Sequence, residues 1–284
     1  MRLEESIKTY CIIGDPIEHS LSPMIHNAGF NHLKLRSTYI AYKVKYLELE
    51  ASIFSLKKVG ITGFNVTIPH KTNVLKYIDV LDSIAKQAGA VNTVQNVQGS
   101  LYGYNTDVEG FLRPLANRKI NLNGMNILLL GAGGAARAVV AGLSKETQDI
   151  KISIANRNIN KAKELAKLGT QLGFKCDTLG LDDVKLNSNR ADMIVNTLPL
   201  GMDNENAIID IPSISEGSIV YDIVYRPVLT NLLRNAKQAG AMLIYGYEML
   251  LEQAAESFQI WTGMPAPKDV MRKALLGPFG ENFE

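Results

Sequence analysis

Three stretches of the chain hold side chains whose types and spacing fit chemistry. In Asn65-Val66-Thr67-Ile68-Pro69-His70-Lys71, strand alternation puts Asn65 and Thr67 on one face and Val66 and Ile68 on the other. Polar side chains inside a buried sheet need partners. Pro69 stops the strand, and Lys71 follows within reach of its carboxyl end, where open α/β sheets bind ligands. A lysine by itself is more often a solvated surface residue, so spacing leaves both readings of Lys71 standing. His70 has neither a metal-ligating companion nor a triad order and reads as structural.

The second stretch, Gly14-Asp15-Pro16-Ile17-Glu18-His19-Ser20-Leu21-Ser22-Pro23-Met24-Ile25-His26-Asn27, ends a strand and opens a helix. Ser22 is the expected N-cap and Pro23 the first helical residue. Ser20 and Ser22 then set two hydroxyls beside a helix N-terminus, a seat for a small carboxylate. Capping alone would explain Ser22 but leave Ser20 without a task. The third stretch runs from Asn126 to Val139, NILLLGAGGAARAV. A buried strand, a turn over Gly131, Ala132, Gly133, Gly134 and Ala135, and a helix make the opening of a dinucleotide-binding βαβ unit. Gly131 permits the sharp turn, Gly133 lets backbone approach a pyrophosphate, and Ala136 packs helix on strand. The alternative is an ordinary glycine-rich βα turn.

The next strand bears on the choice of dinucleotide. Lys151–Ala155 alternates and is β-branched, and it ends in Asn156-Arg157-Asn158 with Lys161 one turn on. NAD sites place a carboxylate at that strand end for the ribose 2′-hydroxyl, whereas NADP sites tend to place arginine. No carboxylate stands there, and the planar fork of Arg157 suits a 2′-phosphate. The sequence favours NADP.

Positioning these groups takes two α/β units. Tyr10–Ile13, Tyr39–Val44 and Ile61–Ile68 read as strands of the first, with helices starting near Pro23 and Tyr46. Met193–Asn196 and Ile219–Ile223 read as further strands of the second. A short strand, Met242–Ile244, precedes a helix from Gly246 to about Trp261, which either unit could own on pattern alone. Repeated strand-then-helix patterns argue for mostly parallel sheets. A length of 284 residues fits two domains, and 46% hydrophobic with 20% charged residues fits an ordinary soluble protein. A formal net charge of +2 lacks the basic excess of nucleic-acid binders. Cys11 and Cys176 have no metal-ligand spacing, and Cys11 reads as a reduced core thiol. Neither a signal segment nor an apolar run long enough to span a bilayer is evident, so a cytoplasmic protein is expected.

Further along come Gly89-Ala90-Val91-Asn92-Thr93, Gly103-Tyr104-Asn105-Thr106-Asp107 and Asn196-Thr197-Leu198-Pro199-Leu200-Gly201-Met202. Asp222-Ile223-Val224-Tyr225-Arg226-Pro227 and Gly246-Tyr247-Glu248-Met249-Leu250-Leu251-Glu252-Gln253 follow. With the serine pair, the lysine motif and GAGGAA, this succession resembles the shikimate dehydrogenase family over nearly the whole chain. The resemblance implies an α/β protein of two domains. Residues 1–107 with 239–284 would bind substrate and carry catalysis, and 108–238 would form a Rossmann-type NADP domain. Lys71 and Asp107 would be the catalytic pair. Ser20, Ser22 and Tyr225 would bind the substrate carboxylate, and Asn65, Thr67, Asn92 and Gln253 its hydroxyls. Thr197, Ile223, Gly246 and Met249 would join the turn, Asn156, Arg157, Asn158 and Lys161 in holding NADP. Met249 and Gln253, four apart on a helix, share a face.

The implied reaction is the reversible NADPH-dependent reduction of 3-dehydroshikimate to shikimate in aromatic amino-acid biosynthesis. It would run in a monomer or homodimer with a small-molecule substrate and no metal, nucleic-acid or membrane partner. Two departures stand out: Asn158 replaces a usual threonine beside Arg157, and Leu198 replaces a second threonine before Pro199. With no zinc-ligand cluster in the sequence, a side chain must handle the hydroxyl proton. Lys71 either takes that proton, oriented by Asp107, or acts as an electrostatic and hydrogen-bonding group. The alternatives are a quinate/shikimate dehydrogenase using NAD or both cofactors, and a non-catalytic NADP-sensing protein on the same fold.

Overall fold

The protein is described by a computed structural model that covers residues 7–147, 149–184, 188–199 and 214–279. Two compact units emerge, Met1–Glu109 with Leu251–Glu284, and Gly110–Leu250. The chain passes between them inside two helices, α4 (Asp107–Asn117) and α8 (Gly246–Thr262).

The first unit holds β1 (Lys8–Gly14), β2 (Ser37–Lys43), β3 (Gly63–Val66), β4 (Val80–Leu81), β5 (Thr93–Val97) and β6 (Ser100–Tyr104). Their order is β2-β1-β3-β5-β6-β4. Around them lie α1 (Ser22–His32), α2 (Leu49–Lys58), α3 (Ser83–Ala88), the later part of α8, and α9 (Lys268–Leu276). Alternation along β1 sends successive side chains to opposite faces. Cys11 and Ile13 join Ile53, Leu56, Phe64, Val66, Val74 and Val94 on one side. Tyr10 and Ile12 join Phe30, Tyr39, Phe258 and Trp261 on the other. Cys11 is buried and free, as its apolar surroundings required.

This sheet departs from the expected parallel arrangement. β1 pairs in parallel with β2 and β3, but β5 runs antiparallel to both β3 and β6. β5 and β6 form a hairpin: Gln98 and Gly99 both have positive φ, 52° and 87°, the backbone that two-residue hairpin turns need. β3 is also shorter than the expected 61–68. Thr67 lies past its end, although its N–H still donates to Ile13 O at 2.9 Å. Ile68 is 52% exposed and shares no buried face with Val66. The helix expected from Tyr46 opens as a 3₁₀ turn, Tyr46–Glu48, before α2.

The second unit is the doubly wound arrangement. Six parallel strands, β7 (Asn126–Leu130), β8 (Lys151–Ala155), β9 (Lys175–Leu179), β10 (Met193–Asn196), β11 (Ile219–Asp222) and β12 (Met242–Ile244), stand in the order β12-β11-β10-β7-β8-β9. Helices α5 (Gly134–Glu146), α6 (Ile159–Gln171) and α7 (Asn231–Gln238) alternate with them. The order reverses between β7 and β10, and ligands of such sheets bind beyond the carboxyl ends at that point. Because β12 pairs with β11, residues 242–244 belong to this sheet rather than to the first unit, where a boundary at 239 would put them.

His26 sits in the aromatic side of the first unit, fully buried, stacked on Tyr39 at 4.4 Å and flanked by Trp261 and Phe30. Burial pushes its pKa down to about 3. The folded value lies below the unfolded one, near 6.5. The neutral ring's contribution is therefore complete above pH 6.5 and is lost as pH falls toward 3, at about 1.4 kcal/mol per pH unit. His26→Phe, which cannot gain a proton, is expected to flatten urea-unfolding stability across that window by this amount. An unchanged acid slope would refute the assignment.

Candidate active site

The loop after β3 is anchored by its histidine. His70 is fully buried, its Nε2 lies 2.7 Å from Val44 O, and its N–H donates to Thr67 O at 2.9 Å, in keeping with a structural role. One residue on, Lys71 O accepts the Val91 N–H at 2.8 Å, which docks the lysine beside the segment that carries Asn92. Lys71 Nζ donates to Asp107 Oδ2 at 2.5 Å, with the two side chains 15% and 5% exposed. Asp107 opens α4, a helix N-terminus that favours negative charge. Its Oδ1 accepts from Asn92 Nδ2 at 2.8 Å.

The two asparagines are held in one orientation each. Asn92 Oδ1 faces the Thr106 N–H at 2.8 Å, which can only donate, while its Nδ2 faces the Asp107 carboxylate, which can only accept. Asn65 Nδ2 donates to Asn92 O at 3.0 Å and to Thr93 Oγ1 at 2.9 Å, with Ser257 Oγ at 3.2 Å. A flipped amide would set two carbonyl oxygens against each other. Both N–H groups of Asn65 are therefore engaged within the protein, and what remains for a ligand is a lone pair on Oδ1. Gln253 Oε1 stands 3.4 Å from Asn92 Nδ2.

The serine pair corrects an expectation. Helix α1 begins at Ser22 itself, Leu21 occupies the N-cap position, and no side chain caps the helix there. The Ser22 N–H itself donates to Ser20 Oγ at 3.3 Å, which ties the half-buried Ser20 to the start of the helix. The buried Ser22 hydroxyl bonds the Tyr39 hydroxyl. Tyr39 in turn donates to Asn65 Oδ1 at 2.6 Å. Burial pushes the Tyr39 pKa well up, which keeps that proton in place. Thr67, half-buried, lies against Gly14, where an added Cβ would run into its methyl group.

In the second unit Gly131 has φ +108°, and a Cβ there would collide with the Thr197 hydroxyl. Thr197 Oγ1 donates to Leu130 O at 2.7 Å. Gly133 is exposed, forms the N-cap of α5, and a Cβ built on it meets nothing within 4 Å. Ala132 and Ala135 are half-buried, and Ala136 is fully buried as its packing role required. Asn156 Nδ2 donates to Asn158 O at 2.9 Å. Asn158 Oδ1 caps α6, accepting from Asn160 N and Lys161 N at 3.0 and 3.4 Å. Arg157 and Lys161 are exposed.

At the neighbouring strand ends Asp222 is buried, and burial raises its pKa to about 6. That shift is opposed by donors on Thr230, Val224 and Asn196 at 2.6, 3.0 and 2.9 Å. The Ile223–Val224 backbone passes so close to Gly246 that no Cβ fits there. Met249 follows in the same helix, buried. Tyr225 lies in the second unit, whereas the other proposed substrate ligands lie in the first.

Comparison with known proteins agrees with these motifs. Residues 12–94 match the shikimate dehydrogenase substrate binding domain. Residues 114–209 match the shikimate / quinate 5-dehydrogenase family, and 246–276 the shikimate 5′-dehydrogenase C-terminal domain. A shikimate dehydrogenase (NADP(+)) of Nitrosopumilus maritimus is 49% identical over 272 residues, covering 96% of this chain and 99% of that protein. The chain belongs to the shikimate dehydrogenase family. A crystal structure of a shikimate dehydrogenase in complex with NADP+ superposes with TM-score 0.87 at 39% identity, covering 96% of each chain. A second, from Thermus thermophilus with NADP(H) and shikimate, gives 0.81 at 32% identity, covering 94% of this chain and 98% of that one.

As a shikimate dehydrogenase the chain is an NADP-dependent oxidoreductase, and the residues of the second unit fit that cofactor. The open space at Gly133 beside helix N–H groups without a side-chain cap suits a pyrophosphate. Exposed Arg157 and Lys161, with no acid between Asn156 and Lys161, suit a 2′-phosphate. Leu200, Gly201 and Met202 of the motif lie outside the described residues. Sequence reasoning missed Tyr39, Thr93, Thr106 and Ser257. Ser257 had a usable signal, since it continues the spacing of four that links Met249 and Gln253.

Gly133→Ala gives a direct test of the turn. Its Cβ would enter open space, so thermal stability should stay at the wild-type value. NADPH binding, followed by fluorescence titration, should weaken about tenfold through one displaced charged hydrogen bond. Equal NADPH affinity in the two proteins would show that no phosphate approaches Gly133.

Proposed function

We propose that this chain reduces 3-dehydroshikimate to shikimate reversibly, with Lys71 and Asp107 as the catalytic pair. The observation that supports the reading above all others is the Lys71–Asp107 contact, largely shielded from solvent and tied through Asn92 to the array around Asn65. NADPH, when bound, supplies a hydride to the carbonyl carbon. Lys71 Nζ–H then lies where the carbonyl oxygen gains negative charge and gives it a proton; in the oxidative direction it receives the hydroxyl proton. Asp107 keeps the ammonium aimed, and Asn92 keeps Asp107 aimed.

In this reading the unit of residues 1–109 and 251–284 binds the substrate, and residues 110–250 bind NADP. Ser20, Ser22 and Tyr225 take the carboxylate, while Asn65, Thr67, Asn92 and Gln253 take the hydroxyls. Asn65 meets its hydroxyl as an acceptor, since its own N–H groups are spent internally. The turn Gly131–Ala135, Asn156, Arg157, Asn158, Lys161 and Thr197 hold the adenosine and phosphate portion, with Ile223, Gly246 and Met249 at the nicotinamide. Among the described residues no helix is long and apolar enough to cross a membrane. We place the reaction in the cytoplasm, in a monomer or homodimer that needs no nucleic acid.

Lys71→Ala is expected to lower turnover on the order of 10²-fold or more, the scale of general acid–base catalysis. NADPH affinity should hold. Asp107→Ala should also lower turnover, and the double variant should lose less than the product of the two single losses if the pair acts as one unit. Near-normal turnover by Lys71→Ala would discard the catalytic reading and leave a cofactor-binding protein. For the cofactor, Arg157→Ala should raise the NADP Michaelis constant far more than that for NAD. Equal wild-type efficiency with both would instead favour an enzyme of the broader quinate/shikimate type.

A further inference from the structure

Three buried hydroxyls lie beneath the proposed site without a role in either the sequence reading or the proposed mechanism. Thr93 Oγ1 and Ser257 Oγ stand 2.8 Å apart, Thr106 Oγ1 and Ser257 Oγ 3.1 Å, and Thr93 Oγ1 and Thr106 Oγ1 3.2 Å. Thr93 and Ser257 are wholly inaccessible to solvent, and Thr106 nearly so. They come from three distant segments, the start of β5, the residue before α4, and the middle of α8.

We propose that Thr93 and Ser257 are positioning residues for the reduction, holding the amides of Asn65 and Asn92 in place in the orientation that their backbone and carboxylate partners set. The proposal rests on the reading above, in which those amides contact substrate and the Lys71–Asp107 pair. Counting protons shows how the hydroxyls do this. Ser257 donates its one proton to Gln253 O at 3.0 Å, so toward Thr93, Thr106 and Asn65 it acts as an acceptor. Asn65 Nδ2 has two protons and three acceptors, of which Thr93 Oγ1 and Ser257 Oγ are two. The single Thr93 proton faces two acceptors, Ser257 Oγ at 2.8 Å and Asn92 Oδ1 at 3.1 Å. One hydroxyl thus accepts from the Asn65 amide and shares its proton between Ser257 and the Asn92 amide, which links the two side chains.

Without Thr93 and Ser257 as acceptors, Asn92 O and the Tyr39 hydroxyl would still hold the Asn65 amide, but one buried N–H would lack a partner. The amide would then shift toward another acceptor, displacing the Oδ1 lone pair offered to the substrate. Loss of the Thr93 donor would likewise loosen Asn92, and with it the single N–H that aims Asp107 at Lys71. Buried polar networks of this kind act as a unit, and a partly satisfied one is worse than its pairwise sum.

The test compares shape with hydroxyl at one position. Thr93→Val keeps the branched shape and removes the hydroxyl, Thr93→Ser keeps the hydroxyl and removes the methyl, and Ser257→Ala removes one oxygen. Thr93→Val and Ser257→Ala are each expected to lower kcat/KM for shikimate about tenfold, the effect of one buried hydrogen bond. The NADP Michaelis constant should stay at its wild-type value. Thr93→Ser should recover most of the loss, and the double variant Thr93→Val with Ser257→Ala should lose less than the product of the singles.

A purely packing role predicts the reverse order, with Thr93→Ser worse than Thr93→Val. That order, or wild-type kcat/KM in Ser257→Ala, overturns the proposal. Should Thr93→Val fail to fold, Ser257→Ala decides alone. Lys71→Ala measured alongside separates the two levels. Its loss of turnover with unimpaired Ser257→Ala rejects only the hydroxyl network, whereas normal turnover in Lys71→Ala rejects the site itself.

Discussion

An ammonium and a carboxylate placed side by side away from water constrain everything around them. Leaving one such charge buried without its partner costs about 3–5 kcal/mol, and the remaining lone pairs must be met by fixed donors. Asp107 meets this with Lys71 on one oxygen and Asn92 on the other. Asn92 needs its own partners, which Thr106 and Thr93 supply. The requirement spreads outward until it ends on backbone groups, the Gln253 carbonyl among them. The mixed sheet is what makes that convergence feasible. In an all-parallel sheet, the residue before a strand lies at the end opposite the ligand face. Because β5 runs antiparallel to β3, the start of β5 comes level with the end of β3, and Asn65 pairs with Thr93. The hairpin then returns β6 so that Thr106 and Asp107 finish beside Asn92.

In the proposed reading the second unit answers a different need, that of admitting a large anion to bare backbone. It does so with absences of side chain. Gly131 takes a positive φ against Thr197, Gly133 leaves its surroundings empty, and Gly246 lets the Ile223–Val224 backbone pass close by. Asp222 ties the strand ends β10 and β11 to the N-cap of α7 through Asn196, Val224 and Thr230. The edges of the reversal point between β7 and β10 are thereby fixed without filling it.

Legibility in the sequence followed the range of the interactions. The glycine turn, β8, β10, β12 and α8 could be read because each depends on neighbours within a few residues. Lys71 gave no such local signal. Its partner lies 36 positions away, and spacing could not distinguish it from a solvated lysine; only the family resemblance joined it to Asp107. Ser22 was misjudged because a serine before a proline is a good capping signal, yet the helix starts at Ser22 itself and its own N–H donates to Ser20. The β5–β6 hairpin escaped notice because its turn, Gln98-Gly99, lacks the asparagine or aspartate that usually marks such loops. Tyr39 read as an ordinary strand aromatic, since nothing in β2 announces that its hydroxyl would find Ser22 and Asn65.

The first unit is discontinuous in the chain, and this bears on how the protein is made. Asn65 and Ser257 are separated by 192 positions, and Phe258 and Trp261 complete the aromatic cluster begun by Tyr10, Phe30 and Tyr39. During synthesis these closing residues leave the ribosome only after the whole of Gly110–Leu250. The later-encoded but contiguous unit can fold while the earlier segment still exposes an unfinished apolar face. Contacts of such long range form late because the chain must first lose the entropy of closing the loop between them. The core of the first unit is therefore completed only after the second unit has been made.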